Sequence, residues 1–337
     1  MKRRHFLAAG TAVLAAPALA RAQGAETRQV RISIQPGMSM MPLVVARERG
    51  TVEARLRQAG LPGQVAWNQI SGGPAMNDAL LSDSIDFASG GSPGMFILWE
   101  RARNSRNEVR GLASMASIPQ ILFTRTPNVK SVADFTARDR IAVPSVGVGL
   151  QVMLVQMAAA KQWGPQAWNR LDPITIQMPH AEATVALSAP VATEITAHMS
   201  GPPQQWAQMK DPKLTRVFES TEIVGGPATQ NIIWAKTAFR NANPRTTKAV
   251  LDGVDDAMAF CRSNLREAVE IFLKATNSNQ DPAELAQNLR DPNVTFDTTP
   301  ARSMFFAEFM ARVGQLKAMP ADWKEVWMPE LHDRRGS

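Results

Sequence analysis

The strongest constraint in the chain is a recurring unit: a short β-patterned run, a turn of small residues, then a helical stretch. Val30 to Ile34 alternates apolar and polar side chains, as a half-buried strand does. Gln35-Pro36-Gly37-Met38-Ser39 interrupts it, and Pro42 to Arg49 reads as a helix with proline near its start and Gly50 at its stop. A second short helix runs to about Gln58. Gln64 to Ile70 is the next strand, and Ser71-Gly72-Gly73-Pro74 opens a helix through Leu81. Ile85 to Ala88 is a short strand, and Gly90-Gly91-Ser92-Pro93 opens another helix. This alternation lays strands side by side with helices on the faces, so the class is α/β with a mainly parallel sheet.

The unit continues with strands at Gly111–Ser117, Ile121–Arg125, Arg140–Val143, Ile174–Gln177, Glu194–His198, Leu214–Phe218 and Asn231–Ala235. Pro144-Ser145-Val146-Gly147 leads into a helix ending near Lys161, another helix begins near His180, and a short one follows Pro202-Pro203. After Asn243-Pro244 the pattern turns purely helical, over about 244–275, 281–290 and 300–317. That stretch is not another βα block and is expected to pack on a sheet built earlier. A length of 337 residues suits two domains at roughly 150 residues each. A hydrophobic share of 45% excludes global disorder. No apolar run reaches the roughly 18–20 residues of a mature membrane span.

The first residues read as an address. Met1-Lys2-Arg3-Arg4-His5-Phe6-Leu7 is followed by a small-residue apolar run from Ala8 to Ala20 and by Ala20-Arg21-Ala22. A charged head, a short apolar segment and an A-x-A site make a signal peptide over residues 1–22, cleaved after Ala22 or, alternatively, after Ala18-Leu19-Ala20. The Arg3-Arg4-x-Phe6-Leu7 order resembles a twin-arginine signal, and the mild apolar run and Arg21 fit that route. An ordinary secretory signal is the alternative. The leader holds Lys2, Arg3, Arg4 and Arg21 and no acid, so its removal takes the formal charge from +7 to +3. Dispersed over the mature chain, that charge gives no basic stripe with interleaved aromatics, and no nucleic-acid partner is expected. The single cysteine, Cys261, excludes an internal disulfide and any multi-cysteine metal site. Its apolar neighbours Met258 and Phe260 predict a buried structural thiol.

Four strand ends carry small polar residues into helix starts: Gln35 to Met41, Ser71 to Pro74, Ser89 to Pro93, and Pro144 to Gly149. In open α/β sheets ligands bind beyond the carboxyl ends of the strands, and a helix start offers free N–H groups that favour an anion. Any helix start also wants Ser, Gly and Pro, so one such turn alone says little. Met38, Met40 and Met41 either line an apolar wall or anchor the following helix. Gly90-Gly91-Ser92-Pro93-Gly94 matches G-x-S-x-G, which raises a serine hydrolase with His332 as the triad histidine. The oxyanion hole needs the N–H of the residue after the nucleophile, and Pro93 has none. His180, His198 and His332 show no metal-ligand spacing, so neither a metal nor a cofactor is expected. Gly147-Val148-Gly149 lacks the third glycine of a dinucleotide fingerprint. Asp83 and Asp86 read as solvated turn carboxylates.

These features align in order with a known group. Val30-Arg31-Ile32-Ser33-Ile34, Pro42 to Gly50, Trp67 to Gly73, Ala79 to Phe87, Gly90 to Pro93, Val129 to Phe135, Arg140 to Pro144 and Ala197 to Pro203 together resemble the periplasmic solute-binding proteins of ABC importers, most closely the nitrate/sulfonate/taurine type. The match covers roughly 28–240. Two departures stand out: Asp83 where the family often has Gly, and Ala189-Pro190-Val191-Ala192-Thr193-Glu194 where it has a Gly-x-Asp-Ala turn. The second is expected on a strand leading into the cleft.

The resemblance implies a type II periplasmic binding protein fold of two lobes, each with a mainly parallel central sheet flanked by helices, plus a helical C-terminal region. Lobe 1 would be discontinuous, 23–115 plus 228–337, and lobe 2 would span 116–227. It also implies a periplasmic monomer that closes by hinge motion on a small-molecule ligand and presents it to an ABC permease in the inner membrane; a sensor partner is the alternative. Candidate ligand-binding residues are Gln35, Met38, Ser39, Ser71, Gly72, Ser92, Ser117, Ser145, Gly147, Gln151, His180 and Ser200. None of the four turns holds Arg or Lys, so a monoanion such as a sulfonate or carboxylate, or a polar heterocycle, is expected rather than a highly charged ligand.

Overall fold

The computed structural model describes residues 25–337. The leader assigned to residues 1–22 lies outside the described residues. Ten strands form: β1 Val30–Ile34, β2 Val65–Gln69, β3 Phe87–Gly91, β4 Val109–Ser114, β5 Ile121–Thr124, β6 Ile141–Val143, β7 Thr175–Gln177, β8 Ala197–Ser200, β9 Thr215–Glu219 and β10 Asn231–Lys236. They make two five-stranded sheets, ordered β2-β1-β3-β10-β4 and β7-β6-β8-β5-β9. The two orders are the same plan. In each, three strands run parallel, a fourth runs antiparallel, and an outer strand pairs antiparallel to that one.

The antiparallel strand is in each case the first one reached after the chain changes sheets, β5 after β4 and β10 after β9. A strand entered across a gap need not follow a right-handed crossover, so it can run the other way. Two lobes result, joined by crossing segments on either side of β5 and β10.

Period-two alternation sets the faces of the second sheet. Leu122, Ile141, Val143, Ala197 and Met199 join the main core, which helix Leu150–Trp163 also enters. Ile121, Phe123 and Ala142 point the other way, into a small cluster with Ala183 and Leu187 of helix His180–Ser188. The first lobe is more heavily covered. Helix Pro244–Ser263 lies against helices Met41–Arg49 and Thr51–Gln58. Thr51 Oγ1 donates to Gly253 O at 2.6 Å, and Arg55 pairs with Asp256 at 2.7 Å. A Cβ on Gly253 would stand 2.6 Å from Val52 Cα, so only glycine permits this contact. Cys261 is fully buried on the same helix.

Several boundaries move for physical reasons. β3 runs on through Gly90 and Gly91, because β10 pairs with both. The stretch 244–275 breaks at Asn264, whose φ of −131° and ψ of 48° leave the helical region. The Ala189–Glu194 segment joins helix His180–Ser188 to the amino end of β8, so it lies at the far pole of the sheet rather than on the cleft side. There Arg125 holds it, donating to Ala189 O at 2.8 Å and Val191 O at 2.9 Å. Asp86 is not solvated: it is 5% exposed and accepts from Arg31 N, Nε and Nη2 at 2.8, 3.1 and 2.6 Å. Asp83 takes the left-handed backbone that explains a glycine preference, with φ 57°, and its carboxylate pairs with Lys236.

Candidate functional site

The parallel strands of both lobes end in turns that meet. In the first lobe these follow β1, β2 and β3, at Gln35–Met41, Ile70–Gly73 and Gly91–Pro93. In the second they follow β6, β7 and β8, at Pro144–Gly149, Met178–His180 and Gly201–Pro203. Three contacts join the sets. Met38 N–H donates to Pro202 O at 3.3 Å. A Cβ on Gly91 would stand 3.4 Å from Leu150 Cβ, and one on Gly73 would stand 4.0 Å from Val148 O. The seam between the lobes is therefore lined by strand ends and helix starts.

On the first-lobe side, Gln35 packs its amide against Gly90, where a Cβ would come within 3.2 Å of it. Met38, Met40 and Met41 are all buried and anchor the following helix, so Met38 reaches the seam through its backbone. Ser39 is half-buried on the same turn, while Ser71 is exposed and Gly72 caps the next helix with φ 88°. Ser92 is fully buried, its N–H donates to Gln230 O at 2.8 Å, and its Oγ has no hydrogen-bond partner. A nucleophile would need a base there. His332 lies elsewhere, with Nε2 at 3.0 Å from both Lys324 O and Trp327 O and its ring against Trp323.

The second-lobe side holds a chain of neutral polar groups from four elements. Gln151, second residue of helix Leu150–Trp163, donates from Nε2 to Gln120 Oε1 at 2.9 Å and stands 3.4 Å from His180 Nε2. His180 Nδ1 is 2.8 Å from His198 Nε2, and Gly201 is the close neighbour of His180 Nε2. Burial lowers His180 from 6.5 to about 4. Burial first, and then the nearby His180, lower His198 from 6.5 to about 3. Both rings are neutral at pH 7, so one donates to the other. Ser200 is fully buried beyond them, and its Oγ has no partner.

Ser145 is half-buried and Gly147 exposed on the outer part of the β6 turn. Ser117 stands apart from the turns. It sits on the β4–β5 crossing, where its N–H and C=O pair with Thr295 at 3.0 Å each. Sequence reasoning missed Gln120, His198, Gln230 and Asn231. For His198 a signal existed: alternation in β8 puts His198 and Ser200 on one face, with Ala197 and Met199 on the other. Among the described residues no group of three or more His, Cys, Asp or Glu is placed to hold a metal.

A groove of about 380 Å³ runs from the seam between helices Gly73–Leu81 and Ser92–Ala102, with Val148 of the other lobe on its wall. A larger hollow of about 440 Å³ lies at the far pole of the second lobe beside Arg125, remote from these turns.

No family model matches the chain, and no curated protein matches it in sequence. Solved structures do match in shape. A protein of Bordetella bronchiseptica is 20% identical with a TM-score of 0.71, over 90% of this chain and 95% of that one. The alkanesulfonate-binding protein SsuA of Xanthomonas axonopodis, bound to MOPS, is 16% identical with a TM-score of 0.66, over 87% and 96%. The periplasmic nitrate-binding protein NrtA of Synechocystis is 17% identical with a TM-score of 0.65, over 87% and 83%. The chain has the periplasmic binding protein fold. In that fold the seam described above lies between the two lobes, as the resemblance in sequence implied. Among the described residues no helix is long and apolar enough to cross a membrane.

Proposed function

We propose that this protein is the periplasmic ligand-binding component of an ABC importer. It takes a small organic anion or polar heterocycle between a first lobe, 23–115 plus 228–337, and a second, 116–227. Hinge motion closes the lobes, and the monomer presents the closed form to an inner-membrane permease. The observation that carries this reading is the meeting of turns from both lobes across one seam, with Met38 N–H on Pro202 O and Gly91 on Leu150. Likeness to binding proteins for alkanesulfonates and nitrate supports the ligand size. Residues 1–22 are the export leader, on the twin-arginine route.

Thermal shift of residues 23–337 against sulfonates, carboxylates and pyrimidines tests the reading. A ligand at a hundredfold excess over its Kd should stabilise by about 2.7 kcal/mol. No shift anywhere in the screen would count heavily against it. A fluorophosphonate probe should leave Ser92 unlabelled, since its Oγ has no base.

A further inference from the structure

The hollow at the far pole of the second lobe is assembled from three segments that lie far apart in sequence. β5 and β9 run antiparallel with Thr124 opposite Thr215, so the chain leaving β5 at Arg125 stands beside the chain entering β9 from Pro212 and Lys213. Leu187, near the end of helix His180–Ser188, and Ala189 just after it close the third side. That helix begins at the seam and carries the chain about 12 Å along its axis. The hollow, of about 440 Å³, is therefore a separate place from the seam.

Its wall is cationic. Arg125, Lys130 and Lys213 line it, and no Asp or Glu does. Arg125 is fixed rather than neutralised: its guanidinium donates to Ala189 O at 2.8 Å and Val191 O at 2.9 Å, and carbonyls leave its full charge in place. Among the described residues the lysines in ion pairs are Lys210, Lys236 and Lys248, while Lys130 and Lys213 have no carboxylate partner. Acids in the bordering segments are engaged elsewhere. Asp134 accepts from Lys130 N at 2.9 Å and Ser131 N at 2.8 Å, and Asp211 accepts from Lys213 N at 3.0 Å. Asp139 is 5% exposed and takes the hydroxyls of Thr136 and Thr196 at 3.0 Å each. Glu194 ends the segment that Arg125 holds and lies off the wall. The rest of the wall is apolar and stiff. Leu187, 1% exposed, forms its floor, and Pro127 and Pro212 fix the turns on either side.

We infer that this hollow is a second ligand site, one that takes an organic dianion: a compact head such as a phosphate monoester on an apolar body. Three cations side by side in one hollow repel one another, and a dianion relieves that repulsion where a neutral solute does not. The head's oxygens accept from the two ammonium groups, in charge-assisted bonds that are stronger than neutral ones. The body takes Leu187 and the two prolines out of water. The volume is that of a small-molecule pocket. With Arg125 pinned and the prolines rigid, only the two lysine side chains remain to be ordered on binding. All three walls pack on the second sheet, so the site needs no lobe closure and stands apart from the binding-protein reading.

The test is calorimetry on residues 23–337 with phenyl phosphate, inorganic phosphate and benzyl alcohol. Phenyl phosphate should bind. Inorganic phosphate lacks the apolar body and benzyl alcohol lacks the charge, so each should bind at least tenfold more weakly. Lys130→Gln and Lys213→Gln should each weaken phenyl phosphate about threefold, and the double variant about tenfold. Both side chains are exposed, so the melting temperature should hold. Backbone amide NMR signals of residues 187–189 and 212–215 should move as phenyl phosphate is added. No heat from phenyl phosphate at millimolar concentration would overturn the inference, and so would affinity that survives the double variant. Equal affinity for inorganic phosphate would do the same, since the apolar wall would then contribute nothing. NMR shifts confined to residues 35–41 and 145–151 would put the anion at the seam and overturn the second site while leaving the binding-protein reading standing.

Discussion

The two lobes follow one strand order, and they differ in what covers it. The first lobe carries the helical C-terminal region, with helix Pro244–Ser263 pressed onto two further helices at a glycine contact. The second has strands of three to five residues and a thin outer cluster of seven buried side chains under helix His180–Ser188. The seam differs too. Its first-lobe side is amide and hydroxyl, while its second-lobe side adds two neutral histidines. A shared topology therefore leaves burial and polar chemistry free to diverge, because strand order is set by chain path and cover is set by what the chain does afterwards. The expectation is a rigid first lobe and a softer, acid-sensitive second one.

The largest effect should come from Gly253→Val. Its side chain would meet Val52 backbone atoms at 2.6 and 2.8 Å, which cannot give way, so a loss of about 3 kcal/mol or more is expected in urea unfolding. Cys261 reports the same event: burial pushes its thiol up to about 12, so it should resist labelling until this lobe opens. A mild effect would mean the helices there are not tightly held.

Next comes truncation on either side. Leu43→Ala in the main core should cost about 3–5 kcal/mol, and Leu187→Ala in the thin cluster about 2 kcal/mol, where neighbours can collapse. Equal costs would break the contrast between the lobes.

Acid should act on the second lobe. His180 and His198 have folded values of about 4 and about 3, below the ordinary 6.5, so the unfolded chain binds more protons. Stability is then full above pH 6.5, falls as pH drops toward 4, and levels off below 3. Melting curves of the protein and of His198→Gln should diverge in that window, the variant being flatter. Parallel curves would remove the histidines from the account.

The smallest global effect belongs to Arg125→Ala. Water can replace the guanidinium at Ala189 O and Val191 O, so the loss should stay under about 1 kcal/mol. Amide exchange over residues 189–196 should nonetheless rise, and unchanged exchange would mean that Arg125 does not hold the segment.

The βα alternation, the turns at helix starts and the buried thiol were legible because each follows from residues a few positions apart. So was the likeness that implied two lobes. Helix–strand periodicity and proline or glycine at a stop act locally, and local rules survive in any fold that uses them. The failures share the opposite property. Asp86 read as solvated because Arg31, its partner, is 55 residues away. His180 reads as a ligand candidate without its partner, because His198 comes to it from the next strand in sequence, 18 residues on. The 189–194 segment is expected on a strand leading into the cleft, but β8 begins at Ala197 rather than Glu194, so the segment is the loop before the strand's amino end.

From the sequence alone came the class, the two-lobed expectation and the neutral character of the turns, since residue types and short spacings carry them. Only the tertiary structure decided which turns face each other, which polar groups are buried without partners, and that the two histidines meet through His180 Nδ1 and His198 Nε2. Those depend on strand order and lobe contact, where residues separated by tens to hundreds of positions become neighbours and burial changes what each group can do.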